Sequence, residues 1–213
     1  TLENALDYAR SNASGYVHFV YLSSSMVYGN FQHDEVTEGE LCKPIGIYGT
    51  LKYSGELIVK AYNEAFGLPY TIIRPSALYG ERCVSRRVGQ IFIENAVQGL
   101  DITINGDGSD KLDFTYIDDI IAGTRSAMDN NYPCEVFNLG NHKSENLMDM
   151  IGIIEKNLGK KAKIDFQPMQ PGDVSESFAD IDKSTEMLNY RPTTDISEGI
   201  PQFIEWYKNY YKM

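Results

Sequence analysis

The stretch "CKPIGIYGTLKYSGELIVKAYNEAFGLPYTIIRPSALYG", residues 42–80, decides how the rest of the chain is read. Apolar residues recur at Leu51, Leu57, Ile58, Ala61, Tyr62 and Ala65 and stop at Gly67, which predicts a helix from Tyr48 to about Phe66. The run that follows, "PYTIIRPSALYG", is the continuous apolar and β-branched pattern of a buried strand, broken at Pro75. Within "YGTLK" (residues 48–52), Tyr48 and Lys52 are four apart and stand one above the other on a helical face. A phenol and an ammonium so placed can serve one ligand jointly. The same pair is common on ordinary helix surfaces, so its meaning depends on what surrounds it.

Working outward, "VHFVYL" (residues 17–22) has the look of a short buried strand that ends at Ser23, Ser24 and Ser25. It is preceded by a helix carrying Leu2, Ala5, Leu6 and Ala9, and followed by an aperiodic loop over residues 23–47. Beyond residue 80 the pattern predicts a helix in "VGQIFIENAVQGL", a strand in "DITI", a turn in "NGDGSD", a helix in "YIDDIIAGTRSAMD" and a strand in "EVFNLG". "SENLMDMIGIIEKNLG" reads as a helix with a Ser-x-x-Leu start and a Gly stop. "AKIDFQPM" reads as extended, "IDKSTEML" as a short helix, and "SEGIPQFIEWYKNYY" as a terminal amphipathic helix containing Pro201. Strands alternating with helices imply parallel βαβ units and an α/β fold. From about Arg82 the strands shorten, so residues 1–81 are assigned to one domain and 82–213 mainly to a smaller lobe, with 115–140 returning to the main sheet.

Composition narrows the function. Thirty acidic against 19 basic residues give a net charge of −11, which leaves no excess cation to displace counterions from a nucleic acid. Cys42, Cys83 and Cys134 are too scattered for a disulfide framework or a CxxC zinc site, which fits a reducing compartment. His18, His33 and His142 lack metal-ligand spacing, so no metal is expected. No apolar run approaches the roughly 18 residues of a membrane span, and the first residues carry no basic-then-apolar leader pattern; the chain reads as cytoplasmic. Asp118 and Asp119 are acids at the positive end of a helix dipole.

Ligands of open parallel sheets sit outside the carboxyl ends of the strands. "SSSMVYG", Tyr48 and "RPSALYG" all fall there. Together with "DFTYIDD" (residues 113–119), these ordered motifs resemble the extended short-chain dehydrogenase/reductase family and, within it, the nucleotide-sugar epimerases and dehydratases. The C-terminal run "PMQPGDVSESFADIDKSTEMLNYRPTTDISEGIPQFIEWYKNYY" looks most like the UDP-glucuronate 4-epimerases. The resemblance implies the C-terminal part of a doubly wound, Rossmann-like parallel sheet with a smaller α/β substrate-binding lobe. It also implies NAD as cofactor, a UDP-sugar or other nucleotide sugar as substrate, a role in polysaccharide biosynthesis, and a homodimer in which residues 48–66 pack into a four-helix bundle.

Residue by residue, the resemblance implies catalytic roles for Ser24, Tyr48 and Lys52, with Ser25 as an alternative to Ser24. It implies cofactor contacts from Ser23, Tyr48, Lys52, Pro75 and Leu78, and substrate contacts from Ser25, Ala77, Gly89, Gln90, Lys111 and Asp173. A phenol with a pKa of about 10 is a poor base at neutral pH, and a neighbouring ammonium lowers it. Lys52 is therefore expected to be the electrostatic partner of Tyr48. The arginine that relatives place before Asp-Phe-Thr-Tyr is Leu112 here, with Lys111 beside it, and dehydratase-type Asp-Glu is replaced by Ser25 and Met26. A reductase or dehydratase of the same family, or a non-catalytic binding module, are the alternative readings. The glycine-rich turn that receives the dinucleotide pyrophosphate is not among these residues, so the chain is expected to enter the fold before its fifth strand, without on the order of 100 residues of the doubly wound sheet. Alone it is expected neither to bind NAD tightly nor to turn over.

Overall fold

The computed structural model describes residues 1–12, 18–31, 36–83, 87–169 and 176–213. In order, these form α1 (Leu2–Asn12), β1 (Phe19–Leu22), a 3-10 turn (Ser25–Val27), α2 (Gly46–Phe66), β2 (Tyr70–Pro75), β3 (Ala77–Tyr79) and α3 (Val88–Gln98). Then follow β4 (Ile102–Asn105), β5 (Lys111–Leu112), β6 (Phe114–Tyr116), α4 (Ile117–Asn130), β7 (Glu135–Leu139) and β8 (Glu145–Asn146). The chain closes with α5 (Leu147–Leu158), β9 (Ile164–Gln167), α6 (Asp182–Leu188) and α7 (Ile196–Tyr211).

The main sheet is parallel with order β1-β2-β7, and Ile72 and Ile73 show why both its faces are apolar. Successive strand residues point to opposite faces. Ile72 packs with Leu6, Val59 and Leu68 beneath α1 and α2, whereas Ile73 packs with Ile120, Phe137 and Leu188 beneath α4 and α6. A separate core in the C-terminal part joins Phe92, Ile93, Ile102, Ile104, Met150, Ile154, Ile200 and Phe203 from α3, β4, α5 and α7. Small pairs complete the architecture: β3 with β6 and β4 with β9 are parallel, and β5 with β8 is antiparallel.

The break expected at Pro75 is a change of sheet. Pro75 is the last β2 residue in register with β7, opposite Leu139, while Ala77 already pairs with Phe114 of β6. The Ser76 N–H donates to Leu139 O at 2.9 Å, and the next N–H, of Ala77, donates to Asp113 O at 3.0 Å. A proline has no N–H to extend a ladder, so the crossing falls at the point where the chain can leave it. The expected Ser-x-x-Leu start of α5 is also displaced: the N-cap is Asn146, whose side chain accepts from the Met148 N–H at 2.7 Å.

Two glycines fix how closely α2 approaches β1 and the serine turn. A Cβ at Gly49 would lie 2.5 Å from the Met26 carbonyl oxygen, and one at Gly55 would lie 2.1 Å from the Tyr21 hydroxyl. In a free helix, Gly→Ala is favourable by about 1 kcal/mol. At Gly49 the obstacle is backbone rather than the end of a side chain, so overpacking wins. Gly49→Ala is expected to destabilise the protein by about 1–3 kcal/mol in urea unfolding, and a stabilised variant would contradict this close approach.

Candidate active site

Tyr48, Lys52 and Glu56 lie on one face of α2, a turn apart, and each reaches the carboxyl end of the main sheet. Glu56 is wholly buried and accepts two bonds from Arg74 of β2, Nε at 2.9 Å and Nη2 at 2.7 Å, and one from the Ser23 hydroxyl at 2.6 Å. Arg74 also donates to the Tyr28 hydroxyl at 2.8 Å, and Tyr28 donates to Asn138 Oδ1 of β7 at 2.7 Å. One polar chain thus joins α2, β1, β2, the serine turn and β7. The fork of Arg74 matches a carboxylate in two places, which a lysine could not do.

Above that base, Lys52 donates from Nζ to the Leu22 carbonyl at 2.8 Å and lies 5.9 Å from the centroid of the Tyr48 ring. Ser24 caps the 3-10 turn, its Oγ accepting from the Met26 N–H at 3.2 Å. Ser24, Lys52 and Arg87 line one cavity with Tyr48. Burial of the ring opposes ionisation of the phenol, but the Arg87 and Lys52 cations and the Ser24 hydroxyl outweigh it, so the phenol sits below its ordinary value. Lys52 is therefore one of two cations at Tyr48.

Two cavities meet at this point. The first, about 400 Å³, is lined by Ser23, Ser24, Tyr48, Lys52, Pro75 and Leu78, with Ile117, Ile120, Ile121 and Met128 of α4 as an apolar wall. The second, about 510 Å³, takes in Ser25, Met26, Ala77, Val88, Ile91 and Leu112. Ser24, Ser76 and Arg87 line both. The structure thus gathers Ser23, Ser24, Ser25, Tyr48, Lys52, Pro75, Ala77 and Leu78. It does not bring in three others. Gly89 packs toward Tyr79 and Met150, Gln90 is buried and bonds Glu94 Oε1, and it is Val88 and Ile91 of α3 that face the second cavity. Lys111 is exposed while its strand neighbour Leu112 faces in, as alternation along β5 requires. Asp173 lies outside the described residues.

Asp113 closes the floor below Ser76. It is fully buried, and its carboxylate accepts from the Asn141 N–H at 2.6 Å and the Ala179 N–H at 3.4 Å, tying the end of β7 to residues 176–179. Asp119 is also buried, and holds the Thr193 and Thr194 N–H groups at 3.0 and 3.1 Å, a role beyond that of an acid at a helix start. Glu56 and Arg87 were not singled out from sequence, and Asp113 entered only as the first residue of "DFTYIDD". The position of Glu56, continuing the Tyr48–Lys52 face, was the available signal; an arginine at a helix start, against the dipole, was the signal for Arg87.

The chain belongs to the NAD dependent epimerase/dehydratase family, whose model matches residues 2–140. It is 36% identical to an uncharacterized protein of Methanocaldococcus jannaschii, over 97% of this chain and 68% of that protein. It is 33% identical to UDP-glucuronate 4-epimerase 1 of Arabidopsis thaliana, over 99% of this chain and 56% of that one. The crystal structure of UDP-glucuronic acid 4-epimerase from Bacillus cereus, in complex with UDP-glucuronic acid and NAD, superposes with a TM-score of 0.93 at 32% identity, over 99% of this chain and 67% of that chain. The fold is the Rossmann-type α/β fold of this family.

Two measurements test the buried groups. Glu56→Gln leaves the Arg74 charge buried without its counterion and is expected to cost about 3–5 kcal/mol; an unchanged urea midpoint would contradict the pairing. Burial pushes the Asp113 carboxyl up to about 6, against the bonds it accepts from Asn141, Ala179 and Thr115. The unfolded value is about 3.9, so the folded state holds a proton that the unfolded chain releases in between. Its stabilising contribution is complete below about pH 4 and is lost as pH rises through about 6. Relative to Asp113→Asn, the parent should therefore lose about 3 kcal/mol between about pH 4 and pH 7, and a pH-independent difference would refute the assignment.

Proposed function

We propose that the protein is an NAD-dependent nucleotide-sugar 4-epimerase of the UDP-glucuronate type, in which these residues supply the catalytic tyrosine, the nicotinamide end of the cofactor site and the sugar site. The observation that carries this reading is the placement of Tyr48 in a mainly apolar cavity with Ser24, Lys52 and Arg87, beside a second, larger cavity that shares Ser24, Ser76 and Arg87 with the first. Residues 1–81 with 115–140 would form the cofactor side and the rest of 82–213 the sugar side.

The first cavity suits the nicotinamide end of a dinucleotide. Its walls from Pro75, Leu78, Ile117 and Ile121 are apolar and would exclude water from a planar ring, and the Lys52 ammonium at the mouth can exchange Leu22 O for a ribose hydroxyl. When bound, NAD would supply reversible hydride acceptance, so that oxidation of the sugar carbon and its reduction from the opposite face leave no net reduction. The chain's own residues handle the proton: Tyr48, held low by two cations, takes the hydroxyl proton as the carbon–hydrogen bond breaks, and gives it back after the 4-keto sugar has turned. Ser24 would hold the same hydroxyl. Ser25, Ala77, Val88, Ile91 and Leu112 would surround the sugar and its nucleotide. Elimination of water across a neighbouring bond would need a further acid and base, and Ser25 and Met26 supply neither.

The similarity to UDP-glucuronate 4-epimerases supports the choice of sugar nucleotide, and the free cysteines support a reducing, cytoplasmic setting. A homodimer is supported by Ile47, Leu51 and Ile58 of α2, which are 80%, 65% and 40% exposed and recur along one stripe. In the full-length gene product, Tyr48→Phe is expected to lower kcat by at least about 100-fold with little change in sugar-nucleotide affinity. The parent should convert substrate without accumulating NADH. Near-parental turnover in the variant, or NADH formed in proportion to product, would reject this function.

A further inference from the structure

We propose that Ser76 is a further sugar-binding residue, whose buried hydroxyl hydrogen-bonds an oxygen substituent of the substrate's sugar ring where the two cavities meet. The identity of that ligand rests on the reading of the protein as a nucleotide-sugar 4-epimerase; the unpartnered hydroxyl does not.

Ser76 is 5% exposed, and its Oγ has no hydrogen-bond partner. A hydroxyl kept from water in this state destabilises the fold, so buried polar groups are nearly always bonded and an exception needs a cause. The backbone puts it there. The Ser76 N–H is spent on Leu139 O at 2.9 Å, at the step from β7 to β6, and the residue stands between Pro75 on the first cavity and Ala77 on the second. Asp113 lies beneath: a Cβ at Gly140 would stand 3.0 Å from Ser76 Oγ and 2.2 Å from Asp113 Oδ2. The hydroxyl is close enough to favour the charge of that carboxylate, yet is not placed to bond it. The carboxylate is held instead by the Asn141 and Ala179 N–H groups and the Thr115 hydroxyl.

Among the described residues, Ser24, Ser76 and Arg87 line both cavities. They mark the opening through which a sugar carbon held in the second cavity must approach a nicotinamide held in the first. Ser24 Oγ already accepts from the Met26 N–H at 3.2 Å, whereas Ser76 has both its donor and its acceptor capacity unspent. On the first cavity, Ser76 is flanked by Pro75 and Leu78 with Ile117 of α4, which suit the face of a ring and not its polar edge. On the second it shares the lining with Ser24, Ser25, Asn105 and Ser177, which suit the oxygens of a sugar. The group in reach of Ser76 is therefore an oxygen on a ring carbon beside the reacting one. Ala77, the next residue, also lines the second cavity but has no polar side-chain group with which to hold it.

The test compares Ser76→Ala with the parent in the full-length gene product. By isothermal titration, Ser76→Ala should weaken UDP-glucuronate at least about fivefold, while the affinity for UDP, which lacks the sugar, and the bound NAD content stay at parental values. In urea, the ligand-free variant should unfold at the parental midpoint or above it, because the substitution removes a buried hydroxyl that has no partner there. Unchanged UDP-glucuronate affinity, an equal loss for UDP, or a loss confined to NAD overturns the proposal. So does a lowered urea midpoint, which would make the hydroxyl a structural partner of Asp113. Any of these results, in a parent that converts UDP-glucuronate, leaves the epimerase function standing. A parent that neither binds nor converts a nucleotide sugar rejects the function and the proposal together.

Discussion

The buried pair of Glu56 and Arg74 is the constraint on which the geometry of the site depends. Both side chains are removed from water, with exposures of 0% and 2%. Such a pair is weak evidence of net stability, since desolvating two ions costs about as much as their attraction returns. Its effect is geometric. The carboxylate sits one helical turn from Lys52 and two from Tyr48, so fixing it against β2 fixes the rotation of α2 about its own axis. The third bond, from Ser23, locks the end of β1 to the same carboxylate. A helix free to roll by a small angle would carry the Tyr48 hydroxyl away from Ser24, and the polar chain through Tyr28 and Asn138 prevents that from three strands at once.

The field at Tyr48 opposes the average field of the protein. The chain carries a net charge of −11, yet Lys52, Arg87 and Arg125 all line or border the first cavity. At physiological ionic strength charges beyond about 8 Å are largely screened, so the distant carboxylates matter little at the phenol. Burial of Glu56 against Arg74 removes the nearest acid from account. What remains is a contest between desolvation of the phenolate and two nearby cations, and the cations win.

The longer helices were legible because each repeats an apolar residue every three or four positions, and α2, α3, α4 and α5 end at a glycine or asparagine. The strands of the main sheet were legible as apolar runs. Pairs as short as Lys111–Leu112 and Glu145–Asn146 leave no periodic trace, since two residues cannot show a period. Resemblance located Ser24, Tyr48, Lys52, Pro75 and Leu78, all at strand ends or on a long helix, where sequence position fixes the facing. It placed Gly89, Gln90 and Lys111 within one or two residues of the side chains that line the cavity. On α3 and β5 a single step turns a side chain by about 100° or to the opposite face. Arg87 escaped because it stands 39 positions from Tyr48 in sequence and the two line one cavity only through the tertiary fold.

The change of sheet at Ser76 explains why two cavities can share one wall. Had "TIIRPSALY" continued as a single strand, its end would have projected past β7 and closed the space above Lys52. Instead the backbone steps from β7 to β6 between successive N–H groups, leaving Pro75 and Leu78 on the first cavity and Ala77 on the second. Asp113 holds both sides of that step: its carbonyl accepts from Ala77, and its carboxylate takes the Asn141 N–H just beyond β7. Glycine at position 140 is required by the same contact, since a Cβ there would lie 2.2 Å from Asp113 Oδ2. A buried acid thus holds both sides of the step that separates the two cavities.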